Sequence, residues 1–381
     1  MSKIKDTIYA LSTPPGKSAI AIIRVSGSGA IKALKKISTI KKIKKNKTNL
    51  LFIKDKKTII DQVVAVYYKA PRSFTGEDIV EINCHGGHAV ISKISATFES
   101  LGLRLAEPGE FTKRALLNNK IDLVKTESIS DIINAETEKQ REVAIKNLSG
   151  GLSSFTKEIN KKLSEILANV EATIDFSDED LPAGMINKIK EQNKNIIKKI
   201  KTELSNAELS KPIRSGIKIA IVGKPNTGKS SFINFISKKD VSIVTEIPGT
   251  TTDSITSSID INGFKFTFID TAGLRKHKNK IEKIGIQKTN EIIEKSDLNL
   301  VFLEKSEKHK YNNIQKKLFI KSKSDKRKSI KNKTNYHNIS SVTGEGIDFL
   351  LREISKKTIK KGIKTPILSR ERHISIMNQV L

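Results

Sequence analysis

Apolar and polar positions alternate differently in three parts of the chain. Up to about residue 118, short apolar segments such as AIAIIRVSG (residues 19–27), VVAVYY (63–68) and DIVEINCHGG (78–87) alternate with turns and helical stretches. Four to eight apolar or alternating residues bounded by turn signals are typical of strands. Residues 1–118 are therefore predicted to form an α+β domain.

Residues 119–214 show a helical period instead. Apolar residues recur every three or four positions across 148–170, which predicts one long helix with a single apolar stripe. The segment FSDEDLPAG (176–184) indicates a turn, and a second apolar face follows over residues 186–204. Two such helices are expected to pack as an antiparallel hairpin.

From residue 215 to 356, strands and helices alternate. The strands are IKIAIVG (217–223), FKFTFID (264–270) and LNLVFL (298–303), and the pattern becomes helical again over 357–381. This alternation favours a doubly wound, mostly parallel sheet. The predicted fold class is multidomain α/β: an N-terminal α+β domain, an α-helical domain and an inserted P-loop domain, with 357–381 returning to the helical domain.

Composition is that of a water-soluble chain. Apolar residues make up 37% and charged residues 29% of the 381 positions. No apolar run approaches the roughly 18 residues of a membrane span, and the N-terminus lacks the apolar core of a secretory signal. The only cysteine, Cys84, excludes an internal disulfide. Together these features predict a cytoplasmic protein.

The formal net charge of +29 allows two interpretations. One is a nucleic-acid partner attracted through its phosphates. The other is a bias toward lysine on every solvated face, which segments such as residues 41–47 and 323–333 resemble. Aromatic residues are only 5% of the chain and do not interleave with these lysines, as they would on a base-stacking surface. Charge alone does not establish a nucleic-acid partner.

The segment GKPNTGKSS (223–231) has the spacing Gly-x4-Gly-Lys-Ser, follows a buried strand and opens a helix. That context predicts a P-loop, in which backbone amides and a helix N-terminus cradle phosphates. Lys229 would bridge the terminal phosphates and the Ser230 hydroxyl would hold Mg²⁺.

Companion motifs indicate the nucleotide. DTAG (270–273) ends a strand where an acidic residue can reach Mg²⁺ through water, and PGTTTD (248–253) offers Thr251 as a second Mg²⁺ ligand. In KSKSD (321–325), Lys323 and Asp325 match a guanine-recognition loop, and ISSVTGEG (339–346) resembles the last base-contacting loop. These motifs predict a GTPase.

The sequence gives less direct evidence for the group that supplies the positive charge needed in phosphoryl transfer. Leu274 follows DTAG where many small GTPases carry a water-orienting glutamine, and no arginine finger is evident. The amide oxygen of Asn226 could hold a monovalent cation against the phosphates. The alternative is that Asn226 only forms a turn.

Four further segments carry a resemblance to a known family. DTIYALSTPPGKSAIAIIRVSG (6–27), SFTGEDIVEINCHGG (73–87), PGEFTKRALLNNKIDL (108–123) and IVTEIPGTTTD (243–253) resemble the MnmE (TrmE) family of tRNA-modification GTPases. The resemblance runs in order from residue 6 to the end of the chain. It implies an N-terminal tetrahydrofolate-binding and dimerisation domain, a helical domain, and a Ras-like G domain inserted into the helical one.

The resemblance also implies an activity and partners. Family members form homodimers and act with the flavoprotein MnmG in a heterotetramer. They add a carboxymethylaminomethyl or aminomethyl group to C5 of the wobble uridine of certain tRNAs. Hydrolysis of GTP with Mg²⁺ and K⁺ drives the process, and a 5-formyl- or 5,10-methylenetetrahydrofolate supplies the one-carbon unit.

Residue roles carry over by position. The resemblance implies K⁺ ligands at Asn226, Thr245, Ile247 and Thr250, Mg²⁺ ligands at Ser230 and Thr251, a catalytic water-orienting glutamate at Glu282, and folate contacts at Arg24, Glu81 and Lys120. The full set predicted to bind GTP is Gly223, Asn226, Thr227, Gly228, Lys229, Ser230, Ser231, Thr245, Glu246, Ile247, Pro248, Gly249, Thr250, Thr251, Asp270, Thr271, Ala272, Gly273, Lys323, Asp325 and Ser340.

Three features depart from the family pattern. Thr252 stands where the family has arginine, so a loop salt bridge is expected to be missing. Ser322 replaces the asparagine of the base-recognition loop and is expected to lower nucleotide affinity somewhat. The family also continues for several dozen residues and ends in a Cys-x-Gly-Lys tail, whereas this chain ends at Leu381.

Two alternatives to the wobble-uridine enzyme stay open at this point. One is an RNA-binding assembly GTPase of the Era or Der kind, which shares the P-loop asparagine but lacks folate-like N-terminal motifs. The other is a truncated product with impaired activity, motivated by the end at Leu381.

Overall fold

The computed structural model describes most of the chain as two compact units, Met1–Glu127 and Ser128–Leu381. Each unit is considered separately below. The described residues are 6–40, 42–175, 184–239, 256–271, 282–304, 307–326, 336–360 and 362–381.

The first unit is built on a six-stranded mixed sheet flanked by helices. Its strands are β1 (Ile8–Leu11), β2 (Ser18–Ser26), β3 (Thr48–Asp55), β4 (Thr58–Tyr68), β5 (Ile79–Gly86) and β6 (Arg104–Leu105), and its helices are α1 (Ala30–Ile37), α2 (His88–Ser100) and α3 (Glu110–Leu117). The helix α4 (Leu123–Ile133) follows.

The sheet order is β3-β4-β5-β2-β1-β6, antiparallel except where β6 joins β1. Alternate residues of β2, namely Ala21, Ile23 and Val25, are buried on one face with the apolar side of α1. The helix buries positions spaced by three and four because a 3.6-residue period places them on one face. The expected α+β pattern of this region is confirmed.

A fully buried arginine holds the first unit together at one end of the sheet. Arg114 donates to Asp6 Oδ1 at 2.7 Å, to Glu110 Oε1 at 3.0 Å and to Glu77 Oε2 at 3.2 Å. A second arginine, Arg104, contacts both Asp6 and Glu110 at 2.7 Å. The network joins the segments before β1 and β5 to the start of α3.

Glu110 of this network is stabilised in its charged form. The hydrogen bond from Arg104 lowers the pKa of Glu110 to about 2, against the opposing effect of burial. Because this pKa lies below the ordinary value of 4.5, the group contributes stability above that pH. That contribution is lost as the pH falls toward the folded-state pKa.

The second unit begins with helices. They are α5 (Glu138–Leu148), α6 (Gly151–Asp175), α7 (Met185–Leu209) and α8 (Lys211–Ser215), and α12 (Glu371–Val380) packs on α7. The predicted hairpin is confirmed: Glu158 of α6 pairs with Lys199 of α7 at 2.5 Å, and Thr173 approaches Met185 at 3.9 Å. The first contact joins the early part of α6 to the late part of α7, and the second joins the end of α6 to the start of α7. Antiparallel packing requires this arrangement.

The prediction of a single helix through residues 148–170 is wrong at its start. Leu148 ends α5, and the chain turns at Gly150, whose φ is +96°, before α6 begins at Gly151. A glycine adopts this left-handed conformation without steric cost and weakens a helix interior. The two glycines therefore mark the break between two helices, although the apolar spacing continues across them.

A doubly wound sheet forms the rest of the second unit. Its strands are β7 (Ile217–Gly223), β8 (Thr256–Ile261), β9 (Phe264–Asp270), β10 (Leu298–Phe302), β11 (Lys317–Lys321) and β12 (His337–Asn338). The order is β12-β11-β10-β7-β9-β8, and only β8 pairs antiparallel. The helices of this part are α9 (Lys229–Lys239), α10 (Glu282–Lys295) and α11 (Ile347–Thr358).

The core of this sheet is strongly apolar. All five residues of β10 are buried, and Phe232, Phe268 and Phe302 meet with ring centroids 5.6–5.9 Å apart. Burial on both faces is typical of a central parallel strand covered by helices. The predicted fold class, multidomain α/β with a mostly parallel sheet, is confirmed.

No helix within the described ranges is long and apolar enough to cross a membrane.

We expect Arg114→Met to destabilise the first unit strongly. The change leaves Asp6, Glu77 and Glu110 without their shared buried cation, and breaking a buried pair in this way costs about 3–5 kcal/mol. Urea unfolding combined with amide hydrogen exchange in β1 and α3 measures the effect.

A matched control is Lys93→Gln, which removes the exposed 2.6 Å pair with Asp55 in the same unit. It is expected to change stability by no more than about 1 kcal/mol. Equal effects of the two variants would contradict a structural role for the buried network.

Candidate nucleotide-binding site

The predicted P-loop joins the carboxyl end of β7 to the N-terminus of α9. Gly223 ends the strand, Lys229 begins the helix, and Ser230 and Ser231 lie exposed in its first turn. Because the first backbone amides of a helix have no intrahelical partner, this end of α9 is suited to phosphate oxygens. The predicted context, strand then loop then helix, is present.

Lys229 is buried inside the loop. Its Nζ donates to the carbonyl oxygens of Gly223 at 3.0 Å and Lys224 at 2.5 Å, and its side chain is almost inaccessible to solvent. The hydroxyl of Thr227 donates to the same Lys224 carbonyl at 2.8 Å. The loop thus wraps around an ammonium group that is already in position to meet a phosphate.

Two predicted magnesium-site residues come together at the strand ends. Ser230 Oγ lies 3.4 Å from Asp270 Oδ2, and Asp270 ends β9 in a buried position. The next residue, Thr271, is fixed to β7, because its hydroxyl and amide both donate to the carbonyl of Ile221. A hydroxyl and a carboxylate are the hard oxygen donors that Mg²⁺ prefers, so these residues fit the ion.

The base-recognition loop follows β11 and is tied to the P-loop. Ser322 donates to the carbonyl of Thr227 at 2.5 Å, and Lys323 Nζ donates to the carbonyl of Asn226 at 3.0 Å. Both bonds end on P-loop backbone. The two loops that are predicted to hold the phosphates and the base are therefore one connected structure.

Ser322 stands where the family usually has asparagine, and it makes a structural contact that this difference in sequence does not reveal. It is buried, and a Cβ placed on Gly228 would lie 2.5 Å from its hydroxyl oxygen. Gly228 has a φ of +92°, so both the backbone conformation and the close approach require glycine there. A short hydroxyl side chain at residue 322 matches this tight contact.

Asp325 is oriented by the last predicted base-contacting loop. Ser340, which is fully buried, donates to Asp325 Oδ1 at 2.7 Å and accepts from the amides of Val342 and Thr343 at 3.2 Å. This leaves the other carboxylate oxygen of Asp325 for a ligand. A carboxylate held in this way can accept two N–H groups from the edge of a guanine.

Asn226 lies exposed at the tip of the P-loop with a φ of +62°. Asparagine tolerates this left-handed conformation better than most residues, which supports the turn-forming interpretation. Its amide is also on the loop that faces the phosphates. The geometry of this residue alone is compatible with both predicted roles.

Several predicted site residues lie outside the described part of the chain. Glu282 opens α10, but its side chain is not among those described. The others outside the description are Thr245, Glu246, Ile247, Pro248, Gly249, Thr250, Thr251, Thr252, Ala272, Gly273 and Leu274.

The predicted folate residues lie in the first unit. Arg24 of β2 and Glu81 of β5 face each other across the sheet and pair at 2.6 Å. The Arg24 guanidinium lies 5.5 Å from the ring centroids of both Phe74 and Phe111. Lys120 donates to the carbonyl of Pro71 at 2.9 Å, on the same segment as Phe74.

Sequence reasoning missed the two aromatic residues of this group. Phe74 and Phe111 are 37 positions apart in the chain and gave no joint pattern, although both lie in segments that carry the family resemblance. Aromatic rings beside a charged pair can stack on a planar heterocycle.

Within the described residues, no group of three or more His, Cys, Asp or Glu side chains could hold a metal ion.

Comparison with known proteins gives two family matches. The model described as the GTP-binding protein TrmE N-terminus matches residues 7–120, and the MnmE helical domain model matches residues 123–381. The tRNA modification GTPase MnmE of Clostridioides difficile is 38% identical, with 97% of this chain and 86% of the relative covered. The protein of the same name from Aquifex aeolicus is 38% identical, with 93% and 82% covered.

Solved structures give weaker likenesses. The G domain of the T. maritima FeoB iron transporter is 22% identical, covers 37% of this chain and 98% of its own, and has a TM-score of 0.29. A GTP-binding protein from Sulfolobus solfataricus in complex with GDP is 16% identical, with 64% and 77% covered and a TM-score of 0.29. TM-scores this low support no argument about function.

We expect Ser322→Ala to lower nucleotide affinity. The change leaves the buried carbonyl of Thr227 without its partner, at a cost of about 1–3 kcal/mol, and loosens the link between the two loops. Titration with a fluorescent GTP analogue should show a dissociation constant raised by roughly tenfold.

Ser324→Ala, two residues after Ser322, is the matched control, since this partly exposed hydroxyl makes a long, 3.4 Å contact with Glu345. It is expected to bind nucleotide like the unaltered chain. An unchanged affinity in Ser322→Ala would show that the loops are held together by other contacts.

Proposed function

The chain belongs to the MnmE (TrmE) family of tRNA modification GTPases, and from this membership we propose that it modifies the wobble uridine of certain tRNAs. In this proposal, it acts with MnmG to add a carboxymethylaminomethyl or aminomethyl group to C5 of that base. The observation that carries the GTPase part is the linked pair of loops, in which Ser322 and Lys323 bond to the backbone of the phosphate loop. The N-terminal family match argues against an assembly GTPase of the Era or Der kind, for which no contact gives specific support.

Recognition of GTP follows from the residues at the two ends of this site. Asp325, oriented by Ser340, accepts from the N1–H and amino group of guanine. Lys229 exchanges its carbonyl partners on Gly223 and Lys224 for the terminal phosphate oxygens. The first amides of α9 and its helix dipole favour the same negative charge.

Metal ions are proposed at two positions. Ser230 and Thr251 would hold Mg²⁺, with Asp270 reaching it through water. Asn226, Thr245, Ile247 and Thr250 would hold K⁺. These ions would supply positive charge where negative charge develops during phosphoryl transfer, and Glu282 is proposed to orient the attacking water.

The first unit is proposed to bind a 5-formyl- or 5,10-methylenetetrahydrofolate. Arg24, Glu81 and Lys120 are the charged residues of that site. Support comes from the position of the Arg24–Glu81 pair beside Phe74 and Phe111, which combines ring surfaces with charged donors and acceptors. A folate carries both a planar pterin and an anionic tail, and this set suits both.

The proposed assembly is a homodimer that joins MnmG in a heterotetramer and takes tRNA as substrate. These partners follow from family membership. A cytoplasmic setting is proposed with them, and the buried free thiol of Cys84 is compatible with it.

We expect GTP hydrolysis to be faster in K⁺ than in Na⁺, and Asn226→Gly to remove that difference. Glycine keeps the φ of +62° but removes the amide oxygen, so the loop conformation survives while the cation ligand does not. Steady-state phosphate release should fall by roughly tenfold or more in K⁺, in line with the loss of one transition-state charge contact.

Binding of a fluorescent GTP analogue serves as the control and is expected to persist in Asn226→Gly. Equal rates of the unaltered chain in the two salts would remove the cation role. If the variant kept its K⁺ stimulation, Asn226 would be only a turn residue.

We expect Arg24→Gln to weaken binding of 5-formyltetrahydrofolate by roughly tenfold or more, since a hydrogen bond to a charged group contributes about 1.5–3 kcal/mol. Isothermal titration calorimetry with the full chain measures this. Arg72→Gln is the control, because Arg72 is an exposed arginine in the segment that also carries Phe74. Equal loss in both variants would point to general charge attraction rather than a folate site.

A further inference from the structure

Three lysines and two aromatic rings cluster at one edge of the sheet in the second unit. Alternate residues of β11, namely Lys317, Phe319 and Lys321, are partly exposed, while the residues between them are buried. Tyr336 lies just before the edge strand β12, and Lys308 comes from a short helical turn before β11. These five residues, Lys308, Lys317, Phe319, Lys321 and Tyr336, are called the basic–aromatic edge.

The ammonium groups lie directly against the rings. Lys308 Nζ is 3.9 Å from the centroid of Tyr336 and 5.3 Å from that of Phe319. Lys321 Nζ is 4.1 Å from Tyr336, and Lys317 Nζ is 5.7 Å from Phe319. The two rings meet edge to face with centroids 6.4 Å apart. Two cations therefore share one ring.

No carboxylate neutralises these lysines among the described ion pairs. Glu307 is adjacent in sequence, but it pairs with Lys224 at 2.7 Å and Lys310 at 3.6 Å. Its hydrogen bond to Lys224 lowers the pKa of the Glu307 carboxyl, so this acid is committed elsewhere. Like charges held together without a counter-ion repel one another, and a bound anion relieves that repulsion.

The two aromatic rings favour a nucleic acid over an acidic protein as the anion that binds here. An acidic protein surface would satisfy the lysines but has no need of two aromatic faces. Nucleic acid strands offer phosphates for the lysines and bases that stack on aromatic side chains. We propose that the basic–aromatic edge binds single-stranded RNA, in which Lys308 and Lys321 turn from the rings to the phosphates and leave the faces of Phe319 and Tyr336 to the bases.

This inference deepens the proposed tRNA function by naming a contact surface for the RNA. The edge lies next to the nucleotide site, because β11 leads from Lys321 directly into Ser322. An unpaired region of tRNA, such as a loop, is the class of RNA that exposes its bases in this way.

The first test compares two charge deletions in the full chain. We expect Lys308→Gln combined with Lys321→Gln to weaken binding of an unmodified tRNA about tenfold at low salt. The slope of log affinity against log salt should fall by between about one and two, since two phosphate contacts are lost. The measurement is fluorescence anisotropy of labelled tRNA across a salt series.

The matched control removes the same charge elsewhere in the unit. Lys356→Gln combined with Lys357→Gln alters the end of α11, where both lysines lie in the last turn. We expect affinity and slope to stay close to those of the unaltered chain. Equal weakening in both double variants would show that the charge of +29 acts diffusely, and the inference would be wrong.

The second test concerns the ring. Tyr336→Leu should weaken binding to a single-stranded oligoribonucleotide by roughly tenfold, whereas Tyr336→Phe keeps the ring and should bind normally. If neither ring variant changes RNA binding and polyglutamate competes as well as RNA, the edge recognises an acidic protein surface instead.

Hydrolysis of GTP by each variant separates this inference from the proposed function. None of the altered residues is among those proposed to contact the nucleotide, so hydrolysis is expected to be unchanged. Unchanged hydrolysis would also show that the domain is folded. Normal RNA binding in the variants would overturn the inference while leaving the GTPase intact. Absence of hydrolysis in the unaltered chain would overturn the proposed function whatever the RNA binding.

Discussion

The hydrogen bond from Ser322 to the carbonyl of Thr227 is the constraint on which the nucleotide site depends. The phosphate loop follows β7 and the base-recognition loop follows β11, and β10 lies between these strands. Strands two places apart are separated by roughly 10 Å, so the loops must cross the end of β10 to meet. A short buried hydroxyl that donates to backbone fixes their distance. The loops proposed to hold the phosphate and base ends of a nucleotide are therefore fixed relative to one another.

The first unit uses a different kind of constraint. Arg114 is wholly buried among carboxylates that come from distant parts of the chain, including Asp6 and Glu77. Burying these charges costs desolvation energy, and the arrangement persists because each carboxylate has a guanidinium partner. It fixes the start of β1 and the segment that leads into β5. Glu81 lies on β5 and pairs with Arg24 of the neighbouring strand β2, so both belong to the same sheet.

Much of the fold could be predicted because it depends on local pattern. The central strands β7 and β10 of the second unit are largely apolar, β9 alternates apolar and polar residues, and the hairpin helices have clear apolar faces. The break after Leu148 was missed because the apolar spacing continued across two glycines. In the site, Lys229, Ser230 and Asp270 were found from motif spacing. The contacts of Ser322 could not be, since they depend on how closely two loops approach after folding.

The basic–aromatic edge could not be predicted from the sequence either. Along the sequence, Phe319 and Tyr336 are separated by 17 positions, and lysines are so frequent that none stands out. Strand alternation and sheet pairing bring these residues to one face, a relation that composition does not contain. A lysine-rich bias and a local binding surface can therefore occur in one chain.

Asn226 was given two interpretations, a turn residue and a ligand for a monovalent cation. The φ of +62° favours asparagine, aspartate or glycine, because other side chains crowd the backbone there, although Lys323 adopts the same φ. Glycine would offer no ligand and aspartate would add a negative charge beside the phosphates. Asparagine combines this backbone conformation with a neutral oxygen donor. The turn is thus compatible with the proposed cation role and does not compete with it.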